Sequence, residues 1–212
     1  MKGLILKDIY LTKGYIRSLL IVVFGFLLMG LFMEGFNITF YIPFLAIMIC
    51  ISTFNYDDFN KWNGYVLTFP ISRKNIVKSK YIFTLIVISI ATALGMIGSL
   101  AISIYNNNLN ISTLFMEGLI GLVSSGIATS ILYPLIYKFG AEKGRYFVFI
   151  LIFGIAFIGS GLIALLSKAG MDFTSFTTFF EQYGIIVIVI IFLVLLYISY
   201  RLSSHFFTKK EY

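Results

Sequence analysis

The chain has 212 residues, of which 59% are hydrophobic and 12% charged, and its formal net charge is +7. Soluble domains carry charged residues at about twice that rate and cannot hide repeated apolar runs of about 18 residues, so a soluble globular fold is excluded. In a membrane chain an excess of Lys and Arg marks cytoplasmic loops, and no nucleic-acid partner is expected.

Catalytic chemistry is poorly provided for. Cys50 and His205 are the single residues of their kinds, which leaves no internal disulfide, no cysteine pair for zinc and no paired-histidine metal site. There is no HExxH motif and no cluster of carboxylates within a span. The stretch GAEKGR at 140–145 lacks the Lys-Ser/Thr pair of a phosphate-binding loop, so the chain is not expected to hydrolyse ATP. It reads as a non-enzyme with no cofactor of its own.

In chain order, residues 1–15 mix Lys2, Lys7 and Lys13 with apolar residues. No small-residue cleavage site follows, so the first apolar run is expected to remain in the mature protein. An interfacial helix is expected there. Runs of bilayer length follow at 16–33, 40–54, 81–104, 113–137, 147–167 and 184–202. A crossing helix needs about 20 residues, so the second run must borrow from its flanks; Pro43 falls near its start, where proline is tolerated. The fold expected is all-α: one transmembrane domain over 1–212 with six spans.

The basic residues test this assignment. The N-terminal segment, the 55–80 connection, the fourth-to-fifth connection and the C-terminal tail hold fifteen of the sixteen Lys and Arg residues, and the opposite connections hold only Lys168. By the positive-inside rule both termini are cytoplasmic.

No ionisable residue falls at mid-span, which disfavours an ion-coupled carrier. Glu117 comes nearest, about one turn inside the outer end of the fourth span, and reads chiefly as a rim residue. Small residues recur at helical spacing: Ala91, Gly95, Ser99 and Ser103; Gly121, Ser125 and Thr129; Ala156, Ser160 and Ala164. They read first as faces for close helix packing, with Gly95, Ser99, Gly121, Ser125 and Ser160 also candidates for a translocation path. The last span is bulky throughout and is expected at the lipid-facing periphery.

The connection 55–80 is the most informative. Phe59, Trp62, Val66 and Phe69 follow helical spacing. They predict a short helix with Asp57 and Asp58 at its N-terminus and Pro70 at its end. Ser72 then caps a second helix running into the third span. Two placements are open: an aromatic face turned to the cytoplasm, or a stripe lying flat on the membrane.

The stretch DDFNKWNGYVLTFPISRKNIVKSKY at 57–81, together with KGLILKDIY at 2–10, resembles the small bacterial ABC permeases of the type-2 export class, most of all those of phenol-soluble-modulin and antimicrobial-peptide exporters. The resemblance implies that 55–80 holds a coupling helix for a separate ATP-binding subunit, with Asp57, Asp58, Phe59, Trp62, Tyr65 and Arg73 in the contact. ATP and Mg would be bound by that partner. It also implies a second permease copy or paralogue, a multi-pass location in the bacterial cytoplasmic membrane, and an external cap over 168–183 built on Phe173, Phe176, Phe179 and Phe180. An aromatic, uncharged path favours an amphipathic peptide cargo. The rival readings are a non-transporting sensor or assembly partner and an energy-independent carrier.

Cysteines introduced as Asn107→Cys and Lys209→Cys separate the two faces. A membrane-impermeant maleimide applied from outside should label only the first; the reverse pattern sinks the topology.

Overall fold

In lipid every backbone N–H and C=O must be satisfied within the chain, which leaves a strand-free sequence of this kind one solution, the helix. A computed structural model describes residues 2–32, 37–107, 109–143, 146–147, 150, 154 and 174–210, and no strand occurs among them. The helices are α1 (Lys2–Phe32), α2 (Ile38–Phe59), α3 (Trp62–Val66), α4 (Arg73–Tyr105), α5 (Ile111–Phe139) and α6 (Thr174–Lys209).

Four of these, α2, α4, α5 and the Gly184–Lys209 part of α6, are long and apolar enough to cross a membrane. A fifth crossing is reached if α1 is counted, whose halves Lys2–Tyr15 and Leu20–Phe32 meet at 62°. That bend falls where the expected interfacial helix passes into the expected first span. The expected span at 147–167 lies, apart from residues 147, 150 and 154, outside the described residues.

The second span gains its length at both ends and reaches 22 residues. This corrects the reading of the cytoplasmic connection: Asp57 and Asp58 do not start a new helix but end α2. Carboxylates at a helix C-terminus oppose the macrodipole, and the compensation comes from outside the helix, as described below. The chain then reverses at Lys61, whose φ of 52° is left-handed, before the short α3. Ser72 caps α4 as expected, its Oγ accepting from the Asn75 N–H at 3.3 Å. At about 1.5 Å per residue the 33 residues of α4 span about 50 Å, longer than the hydrocarbon layer.

Two cores hold the bundle. Toward the end that carries α3, aromatic edges interlock across four helices: Phe54 meets Tyr133 and Tyr137 at ring separations of 4.9 and 5.3 Å, Tyr81 meets Tyr133 and Tyr200 at 5.0 and 5.9 Å, and Tyr137 meets Phe207 at 5.6 Å. Edge-to-face pairs of this kind add about 0.5–1.5 kcal/mol each beyond area burial. Toward the other face, Ile38, Ile42, Ala46 and Ala91 pack together. There α2 approaches α4 and α5 backbone to backbone. A Cβ at Gly95 would stand 3.0 Å from Thr39 Cα, and one at Gly121 would stand 2.7 Å from the Thr39 carbonyl oxygen. Pro43 has no N–H to return to that carbonyl.

Gly121→Ala therefore drives a methyl into backbone that cannot rotate away. It should cost about 1–3 kcal/mol, read as a lowered melting temperature of the purified protein in detergent. Gly25→Ala, where nothing lies within 4 Å, should leave that temperature unchanged.

Candidate functional site

The end of the bundle that carries α3 is built on four charges that the helices bring together from distant positions. Leu4, Asp8 and Thr12 recur every four residues on α1 and are all buried; Ile76, Lys80 and Thr84 do the same on α4. Each helix thus turns a charge into its packed face, where an ion without a partner is prohibitively costly.

The charges meet each other. Lys80 Nζ donates to Asp8 Oδ1 at 2.8 Å and to Thr53 Oγ1 at 3.0 Å, and lies 2.7 Å from Asp57 Oδ2. All three ammonium donors have an acceptor. Lys7 pairs with the other Asp57 oxygen and lies 3.2 Å from Asp8 Oδ1. Aromatic faces cover both ammonium groups, Phe54 at 4.9 Å from Lys80 and Trp62 at 4.7 Å from Lys7. Two ammonium groups and two carboxylates make a neutral set that joins α1, the end of α2 and the start of α4.

From this base the connection projects outward. Val66 is fully buried in the aromatic core and plugs α3 into the bundle. Its neighbours face away: Phe59 is 86% exposed, Tyr65 58% and Phe69 42%. Trp62 is half-buried beneath Lys7 and packs 5.6 Å from Tyr65. Asp58 is exposed, accepting from Asn63 at 3.2 Å and, through its other oxygen, from the Ala141 N–H just beyond α5 at 3.0 Å. A small cleft beside it is lined by Phe54, Asp57, Asp58, Lys80, Tyr137 and Lys210.

Of the six residues assigned to the coupling contact, the structure leaves Phe59, Tyr65 and Asp58 exposed and turns the other three toward partners in the bundle. Asp57 is buried in the charge cluster. Trp62 is shared between cluster and surface. Arg73 donates from Nη1 to the carbonyls of Phe207, Thr208 and Lys210 at 3.4, 2.9 and 3.2 Å and so caps the C-terminus of α6. Asp8, Lys7, Thr53 and Lys80 were not singled out by sequence reasoning. The available signal was two opposite charges, each on the apolar face of its own helix.

The small-residue candidates sit at helix contacts. Gly95 and Gly121 both face Thr39, Ser99 hydrogen-bonds Thr39 at 2.6 Å, and fully buried Ser125 donates to the Leu122 carbonyl of its own helix. Glu117 accepts from Asn37 at the N-cap of α2 at 3.0 Å, a placement that suits a carboxylate. Ser160 and Phe173 lie outside the described residues, and Phe176, Phe179 and Phe180 fall on the first turns of α6.

Comparison with known families gives one match, to the family described as ABC-2 family transporter protein, over residues 3–208. The chain belongs to the ABC-2 transporter family. No curated protein and no solved structure matches it. As an ABC-2 permease the protein is a multi-pass membrane transport subunit, and membership implies an ATP-binding subunit beside it.

Lys80→Met would leave Asp8 and Asp57 facing each other with Lys7 as sole counter-charge. Breaking a buried ionic set in this way costs about 3–5 kcal/mol, so the variant should melt far below the parent in detergent. Lys78→Met, two positions away and exposed, should melt with it.

Proposed function

We propose that the protein is the permease of an ABC exporter in the bacterial cytoplasmic membrane, moving amphipathic peptides outward, and that α3 with its flanks is the coupling element for a separate ATP-binding subunit. The observation that carries the docking assignment is the exposure of Phe59 at the end of α2, Tyr65 on α3 and Phe69 just after it, around a helix fixed from beneath by Val66. Large aromatic side chains held in water on a rigid base are costly unless a partner covers them. Membership of the ABC-2 family supplies the partner. Asp58 at the rim of this face supports polar contact with the same subunit.

One such permease makes half of a two-fold exporter, so two copies, or this chain and a paralogue, stand over two ATP-binding subunits. Motor closure on ATP displaces α3 and re-orients the bundle. Support for an amphipathic cargo comes from the membrane interior: the side-chain polarity placed there by the described residues consists of hydroxyls such as those of Thr39, Ser99 and Ser125. Such a path offers no fixed charge to replace the hydration of an ion or sugar, while a peptide with an apolar face needs none.

Inside-out vesicles carrying the permease with its ATP-binding subunit should take up a fluorescent amphipathic helical peptide only with ATP. Phe59→Ala with Tyr65→Ala should cut both this uptake and the co-purification of the ATP-binding subunit at least about tenfold, equivalent to roughly 1.4 kcal/mol of binding or more, while membrane insertion stays normal. Undiminished co-purification removes the docking assignment. ATPase regulation without uptake removes the export assignment and favours the sensor reading.

A further inference from the structure

The charge cluster divides along a boundary that a purely structural ion pair would not need. Asp57 and Lys80 already form a complete pair between α2 and α4, supported by Thr53. Helix α1 adds a second neutral pair, Lys7 and Asp8, whose atoms reach Asp57 and Lys80. The N-terminal half of α1 thus brings no net charge to the site.

Three further features surround this contact. Lys7 stands over the ring of Trp62, the first residue of α3, which links α1 to the docking helix itself. The two halves of α1 meet at 62°, so the first half is not a straight extension of the second. Leu6, Ile9 and Tyr10 lie at helical spacing on the first half and are 52%, 45% and 66% exposed, a bare apolar face of the kind that rests at the headgroup level of a bilayer.

We propose that Lys7 and Asp8 are positioning residues that make the N-terminal half of α1 a moving part of the docking loop, so that displacement of α3 by the ATP-binding subunit is delivered to a helix lying in the inner leaflet. This rests on the docking assignment above. The route is short: from the exposed aromatic face through Trp62 and Asp57 to Lys7, and from the start of α4 through Lys80 to Asp8. Buried ion pairs suit such a joint because separating them exposes charge in a poorly solvated site, whereas moving both sides together costs nothing of that kind.

The test uses Lys7→Met with Asp8→Asn, which removes the α1 half of the cluster, keeps Leu4 in the core and leaves the Asp57–Lys80 pair in charge balance. In nanodiscs, backbone amides of residues 2–15 should exchange hydrogen about tenfold faster than in the parent, with α4 and α5 unchanged. Spin labels at Tyr10→Cys and Ile111→Cys then report the position of α1 against the outer end of α5; buried Cys50 is not expected to take the label. With the ATP-binding subunit bound, adding ATP should shift that distance in the parent and leave it fixed in the double variant, while affinity for the subunit is retained. Unchanged protection of 2–15, an ATP-dependent shift of equal size in both proteins, or no shift in the parent overturns the proposal. Failure of the subunit to bind the parent sinks the docking assignment instead, and the exchange result still decides whether the joint exists.

Discussion

A lysine ammonium shut away from water sets the terms for the half of this protein that carries α3. Lys80 has three N–H donors and no freedom to leave any of them empty, and its three acceptors come from two other helices: Asp8 of α1, and Thr53 and Asp57 one turn apart on α2. Helix α2 must therefore continue past the hydrocarbon layer to present Asp57, and α1 must return to the bundle to present Asp8. The aromatic ladder from Phe54 to Phe207 can pack as it does because these charges are already neutralised beside it.

The two ends of the bundle are held by different physics. Lipid tails are as apolar as leucine, so helices gain little by hiding aliphatic surface from them and associate through close packing and hydrogen bonds. At the outer end this means glycine against backbone, with Thr39 bonded to Ser99 across the contact. At the end that carries α3 it means interlocked rings, the Tyr81 hydroxyl shared with Ser199 and Ser203 at 2.5 and 2.8 Å, and the ionic cluster. Between these ends α6 shows the surrounding lipid an almost unbroken aliphatic surface, with Phe192 packed on Gly126 as its anchor.

Much of this organisation was legible in the sequence. Run lengths located the apolar helices, Ser72 announced the start of α4, and the spacing of Trp62, Val66 and Phe69 announced a short element before it. What could not be read were the partners. Asp57 read as the start of a helix because carboxylates suit that position, and only the third dimension shows that α2 runs through it to reach lysines 50 and 23 positions away in the chain. The partners of Arg73 were hidden for a related reason: its acceptors are backbone carbonyls at the end of α6, which carry no sequence signature. Lys80 counted among the positive charges of a cytoplasmic loop, although its neighbours Ile76 and Thr84 put it on a buried face.

The contact at Thr39 also bears on how the protein can move. Glycine on both sides removes the side-chain interdigitation that would resist tilting, and Pro43 has already freed the backbone there from one internal bond. Asp57 lies 18 residues further along α2, about 27 Å at 1.5 Å per residue. Thr39 is then a fulcrum and α2 a lever arm: a tilt of about 10° about it swings the Asp57 end through about 5 Å, close to one helical turn, with the outer contact hardly displaced.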